Sequence, residues 1–220
     1  KKKKKSVNST VISVWTTTKT NEENVARLIY LEEIGPKTGG HDIPYQRKRI
    51  MDISKDYGAD KLIIDATGMG GAIEQDLRVA CVEEQIQFIP FVFTGGPKGT
   101  KTQVYRDYVS YIQQKLVKVP HPDGLEPNQA KLVNKWLREH IDLEYTMDAA
   151  NKTEKIAAPN GKHDDYCDSS VMALHACLQM LPSSATFASV SLRQSGTSRR
   201  TAERRPLFRT SRRSQCFFFF

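Results

Sequence analysis

The feature that most narrows the fold is the apolar triplet Leu62, Ile63 and Ile64, closed by Asp65 and opening onto the glycine-rich stretch 67–71. Three consecutive branched aliphatic residues suit a strand buried on both faces, as in a parallel sheet, rather than a surface hairpin that alternates apolar and polar. A helical pattern follows over residues 72–84, and a second apolar run covers 86–93. Strand, helix and strand in that order require a right-handed crossover, so the sequence predicts an α/β fold with helices packed on a sheet.

The flanking segments extend that sheet. Residues 10–18 are rich in β-branched side chains around Trp15, and after the polar turn 19–24 residues 25–34 carry a second apolar run; the two predict an antiparallel hairpin. Ile43, Ile50, Ile53 and Tyr57 recur at helical spacing over 44–57, and Gly58 supplies a stop. Further helices are expected over 100–116, with Val104, Tyr108, Tyr111, Ile112 and Leu116 in phase, and over 126–140 around Leu132, Val133, Trp136 and Leu137. A small hairpin is expected within 143–159. The last helix, 164–180, has a stripe of Cys167, Val171, Leu174 and Leu178. Beyond Pro182 Ser, Thr and Arg dominate, so residues 183–220 are expected to be a disordered basic tail. Residues 1–5 form a lysine-rich end, and 6–182 are expected to fold as one domain.

The formal net charge of +8 invites a nucleic-acid partner, yet it resides in the ends. Residues 1–5 carry +5 and residues 186–220 carry +7, which leaves the body, 6–185, at −4. Attraction to phosphates must then come from local patches or bound cations. No apolar stretch approaches the roughly 20 residues that span a bilayer, so no membrane partner is expected. The lysine run is followed by polar residues, which does not indicate secretion. Cys81, Cys167, Cys177 and Cys216 lack C-x-x-C spacing and read as reduced thiols rather than a zinc site or a disulfide framework.

Two places carry chemistry. Asp65 ends a parallel strand, where ligands of α/β sheets gather, although a turn or a helix cap explains such an Asp before glycine equally well. A nucleotide-binding G-x-x-x-x-G-K-[ST] loop is absent; Gly99, Thr100 and Lys101 stand in the wrong order for it. The second place is His163, Asp164, Asp165, Tyr166, Cys167, Asp168, opening the last helix. Residues three and four apart share a helical face, so Asp168 can stand beside Asp165 or Asp164. Capping and the helix dipole account for Asp164 and Asp165. Asp168 strains that account, because three carboxylates so close repel, and a cation keeps them ionised. With Asp65 they suggest an all-oxygen site for Mg2+ or Mn2+. Two such ions about 4 Å apart serve phosphodiester hydrolysis.

The succession of hairpin, helix, buried strand reading I-I-D-A-T-G-M-G-G, helix, strand and late K-H-D-D-Y-C-D-S-S-V-M-A-L helix resembles the C-terminal nuclease domain of phage terminase large subunits, over residues 6–182. The resemblance implies a ribonuclease H-like mixed sheet flanked by helices, and a metal-dependent endonuclease that cuts concatemeric double-stranded DNA during packaging. It implies Asp65, Asp165 and Asp168 as catalytic acids, and Asp65, Asp164, Asp165 and Asp168 as ligands of two ions. It also implies an ATPase motor domain, a portal and a small terminase subunit as partners, in the host-cell cytoplasm. Thr67, Gly68, Lys98, Lys101 and His163 are expected to meet DNA, although turn formation explains the first two and solvation the rest. The family's acid-bearing first strand has no counterpart before residue 10, so the sheet is expected to lack that strand and one ligand. Glu32 or Glu33 can substitute, though edge-strand solubility explains them better. Two other readings stand: a resolvase-like nuclease of the same fold, and a catalytically inactive ribonuclease H-like module that binds DNA or protein.

Overall fold

Branched side chains hold β1 (Thr10–Thr20) and β2 (Glu23–Ile34) extended, and the two pair antiparallel as expected. The computed structural model describes residues 9–20, 23–35, 42–67, 71–94, 100–148, 153–179 and 215–219. Val14 stands opposite Tyr30 but Trp15 opposite Leu28, so Ile29 is the extra residue of a β-bulge. The bulge reverses the alternation along β2, which is why Ala26, Leu28 and Leu31 all join one core cluster while Ile34 joins the other.

The remaining elements are α1 (Ile43–Asp56), β3 (Lys61–Asp65), α2 (Gly71–Glu83), β4 (Gln87–Phe91), α3 (Thr100–Gln113), β5 (Val117–Lys118), α4 (Pro127–Asp142), β6 (Glu144–Asp148), β7 (Thr153–Ala157), α5 (Asp165–Leu174) and β8 (Gln215–Phe219). A π-helical turn, His175–Gln179, continues α5. The main sheet runs β4-β3-β8-β1-β2-β5, with β3 and β4 parallel, and β6 with β7 forms a separate hairpin. Ile12, Val14, Leu62 and Ile64 face α1 and α2 through Ile50, Ile53, Leu77 and Cys81. Val11, Trp15 and Ile63 face α3, α4 and α5 through Tyr105, Trp136, Tyr166 and Met172. The result is three layers, each face of the sheet burying its own set of side chains, at about 1.5–3 kcal/mol for each large one.

Helix ends follow one local device. Gly58 takes φ of 62° after α1, and Ala59 N–H reaches back to the Ser54 carbonyl. Gln85 (φ 57°) and Lys115 (φ 61°) do the same for α2 and α3 without glycine, through Ile86 to Cys81 and Leu116 to Tyr111. These stops set the ends at Glu83 and Gln113, short of the expected 84 and 116. Strand β5, two residues paired parallel to β2, lies below what any periodicity can reveal.

The largest correction concerns the chain's end. Gln215–Phe219 is a strand rather than part of a disordered tail, antiparallel to β1 and parallel to β3. Ile12 stands opposite Phe219, and Ile64 opposite the same residue on the other side. An aromatic run has high strand propensity, and the open edges of β1 and β3 provide two rows of hydrogen-bonding partners. The last described strand thus lies between β3 and β1 in the main sheet. Cys81, Cys167 and Cys177 are buried. Among the described residues no helix is long and apolar enough to cross a membrane.

Candidate metal centre

The carboxyl ends of β3 and β4 lie at the edge where β1 begins, since β8 runs parallel to β3 and antiparallel to β1. Helix α3 starts after β4 at this edge. Helix α5 lies on β1, with Ser13 Oγ and Ser169 Oγ 2.7 Å apart. The expected apolar stripe understates α5: every residue from Tyr166 to Leu174 is buried. Its polar members are each satisfied. Ser170 Oγ donates to the Tyr166 carbonyl and accepts from Trp136 Nε1, both at 2.8 Å.

Asp168, 3% exposed, is the centre of this edge. Tyr105 donates its hydroxyl to Asp168 Oδ1 at 2.5 Å, and Lys101 Nζ donates to Asp168 Oδ2 at 2.7 Å and to Asp164 Oδ2 at 3.1 Å. The ammonium also stands 5.3 Å from the Phe93 ring centre and 5.6 Å from that of Tyr105. Burial pushes the Asp168 carboxyl up to about 6, and Lys101 pulls against that. Burial also works against the Lys101 ammonium, but its two carboxylates more than offset it and raise its pKa. One cation thus holds two like charges together inside the protein, with its own hydrogen bonds meeting both.

Asp164 occupies the N-cap position of α5, yet its side chain makes no cap bond. The cap comes from another helix: Glu139 Oε2 of α4 accepts the Tyr166 N–H at 2.9 Å. This exchange releases the Asp164 carboxylate to Lys101. Burial pushes Glu139 up to about 7, the Tyr166 N–H pulls it down, and the neighbouring Asp165 pushes it further up. Sequence reasoning missed Glu139, although an acid three residues beyond Trp136, on the buried face of α4, was a usable signal.

The other expected ligands have different partners. Asp65 Oδ1 accepts the Thr67 N–H at 2.8 Å and Thr67 Oγ1 accepts the Phe93 N–H at 2.8 Å, so both residues build the turn. Burial raises the Asp165 pKa, while His163, its Nδ1 3.8 Å from Asp165 Oδ2, acts in the opposite direction. Arg49 and Tyr30 hold Glu32, at 2.7 and 2.6 Å. Lys135 and the Tyr166 hydroxyl hold Glu33, at 2.5 and 3.2 Å. Neither glutamate joins the aspartates. Gly68 and Lys98 lie outside the described residues.

Among the described residues no group of three or more His, Cys, Asp and Glu side chains is arranged to hold a metal ion. The reason is local: the ammonium of Lys101 already neutralises Asp164 and Asp168, and the Asp65 carboxylate is satisfied within its own turn. Lys101, expected to meet DNA, pairs with both acids. The pair Asp164 and Asp168 nonetheless fits a hard cation by its chemistry, as two carboxylates that already gather around one positive charge.

Solved structures share this architecture. The nuclease domain of the large terminase subunit of bacterial virus Sf6 has a TM-score of 0.56 at 12% identity, covering 78% of this chain and 89% of that one. A lysine-to-alanine variant of that domain, with manganese, has 0.54 at 11% identity, covering 68% and 80%. Such a variant with calcium has 0.54 at 12%, covering 66% and 76%. No family model matches the chain, and no curated protein matches it significantly. The chain therefore shares the fold of these terminase nuclease domains.

Proposed function

We propose that this chain is the metal-dependent nuclease domain of a DNA-packaging terminase, hydrolysing phosphodiester bonds of double-stranded DNA. The observation that carries the reading is the convergence of Asp164 and Asp168 on one cation at the carboxyl edge of β3 and β4. Support comes from the fold, whose solved neighbours include domains with manganese and with calcium. Asp164 and Asp168 would hold a divalent ion, Mg2+ or Mn2+, once Lys101 withdraws, and Asp65 and Asp165 are the acids available for a second. Bound ions of this kind activate water and neutralise the leaving oxygen of a phosphodiester. Tyr105 orients Asp168 through Oδ1 and leaves Oδ2 to face the cation. Glu139 holds the start of α5 and keeps the Asp164 carboxylate free of capping duty. An ATPase motor domain, a portal and a small terminase subunit are the proposed partners, in the host-cell cytoplasm.

Two observations favour a second reading, a catalytically inactive ribonuclease H-like module that binds DNA or protein. Lys101 stands where a cation would, and β8, which fills the centre of the sheet, contains no acid. Supercoiled plasmid incubated with the protein and Mn2+ decides between them. Nicking that requires Mn2+, stops with EDTA and disappears in Asp168→Asn supports the nuclease. An intact plasmid at saturating Mn2+, with the protein folded by circular dichroism, selects the inactive module. A strong preference for four-way junctions over linear duplex would indicate a resolvase-like enzyme instead.

A further inference from the structure

A body of charge −4 must meet DNA through a local concentration of cations, and the acid pair supplies none beyond Lys101. Helix α4 carries such a concentration. Lys131, Lys135 and Arg138, spaced four and three residues apart, share its exposed face. With Glu33, Pro127 and Asn134 they line an open groove of about 770 Å3. Of the three cations only Lys135 forms an ion pair with a described residue, Glu33 at 2.5 Å. Val133, Trp136 and Glu139 are buried on the other side of the helix, so the basic face is rigidly mounted. It is also mounted at the centre. Glu139 caps α5 beside Asp165, Lys135 stands 5.2 Å from the Tyr166 ring centre, and Glu33 links Lys135 to the Tyr166 hydroxyl.

We propose that the Lys131, Lys135, Arg138 face of α4 is the track on which duplex DNA lays one phosphate backbone as it reaches the acids of α5. The inference rests on the reading of the chain as a DNA-acting domain, and adds the surface that holds the substrate. A rise of about 1.5 Å per residue separates Lys131 from Arg138 by about 10 Å along the helix, matching the axial advance of about three nucleotides of one strand at roughly 3.4 Å each. Contacts of this type fix position without reading bases, so binding on this face is independent of sequence.

The test uses the full chain with EDTA present, so that DNA stays intact, and fluorescence anisotropy of a labelled 24-base-pair duplex over a salt series. The track variant is Lys131→Gln with Arg138→Gln. The control variant, Lys115→Gln with Lys118→Gln, removes the same charge beyond the far end of α3. Relative to the parent, the track variant should lower the slope of log affinity against log salt by about 2 and weaken binding roughly tenfold near 0.1 M salt, with the control close to the parent. Equal behaviour of the two variants while the parent binds overturns the track alone. A parent that fails to bind duplex at low salt overturns both the track and the DNA reading beneath it. Both variants alter exposed side chains, and unchanged melting temperatures verify that they fold.

Discussion

Glu139 tests how the centre is assembled. It is 9% exposed, and burial raises its carboxyl from the usual 4.5 to about 7. The unfolded chain therefore releases this proton at lower pH than the folded one. The stability tied to this group is complete below about 4.5 and is lost as pH rises through about 7. At about 1.4 kcal/mol per pKa unit, the ionised carboxylate costs the folded state on the order of 3 kcal/mol at pH 8. Glu139→Gln keeps an oxygen for the Tyr166 N–H and removes the charge. It should be stabilising by about 3 kcal/mol at pH 8, or roughly 6–12 °C in melting temperature, and close to neutral at pH 5. Glu139→Leu removes the acceptor as well, so it should fall about 1–3 kcal/mol below the Gln variant at both pH values. Urea unfolding at pH 5 and pH 8 measures all three proteins. A Gln variant whose advantage is the same at both pH values refutes the buried-charge argument, and a Leu variant as stable as the Gln variant refutes the cap.

Three further outcomes follow from the same contacts. Lys101→Met leaves Asp164 and Asp168 facing each other uncompensated, so it should lose about 3–5 kcal/mol without divalent ions and recover much of it in Mn2+; equal melting curves with and without the metal would contradict the site. Asp65→Asn retains an oxygen for the Thr67 N–H, so melting should hardly change while Mn2+-dependent plasmid nicking disappears; nicking at the parental rate would leave Asp65 a turn former only. Ile63→Ala, which empties a side chain 1% exposed between β3 and α5, should destabilise by about 2–5 kcal/mol in urea, and a loss under 1 kcal/mol would mean that the layer is loosely packed.

Short-range pattern carried most of the fold. Leu62, Ile63 and Ile64 announced a strand buried on both faces, and the helices over α1 to α5 followed from side chains three and four residues apart, because such neighbours share a face whatever lies beyond. The acids of α5 were legible for the same reason: Asp164 and Asp168 are one turn apart. Their partners were not legible. Lys101 meets Asp168 from 67 residues away, Glu139 meets Tyr166 from 27, and Ser13 meets Ser169 from 156. Such encounters depend on the order of strands in the sheet and on which helix crosses which face. No local spacing encodes either. The same holds for Phe217, Phe218 and Phe219, whose composition suits a strand but whose place between β1 and β3 is set by hydrogen-bonding edges that exist only once the sheet has formed. The amino-acid sequence determined which residues would be extended, helical or acidic at a helix start, and tertiary structure alone decided that a lysine holds the two acids together, because a charge selects its partner by distance in space.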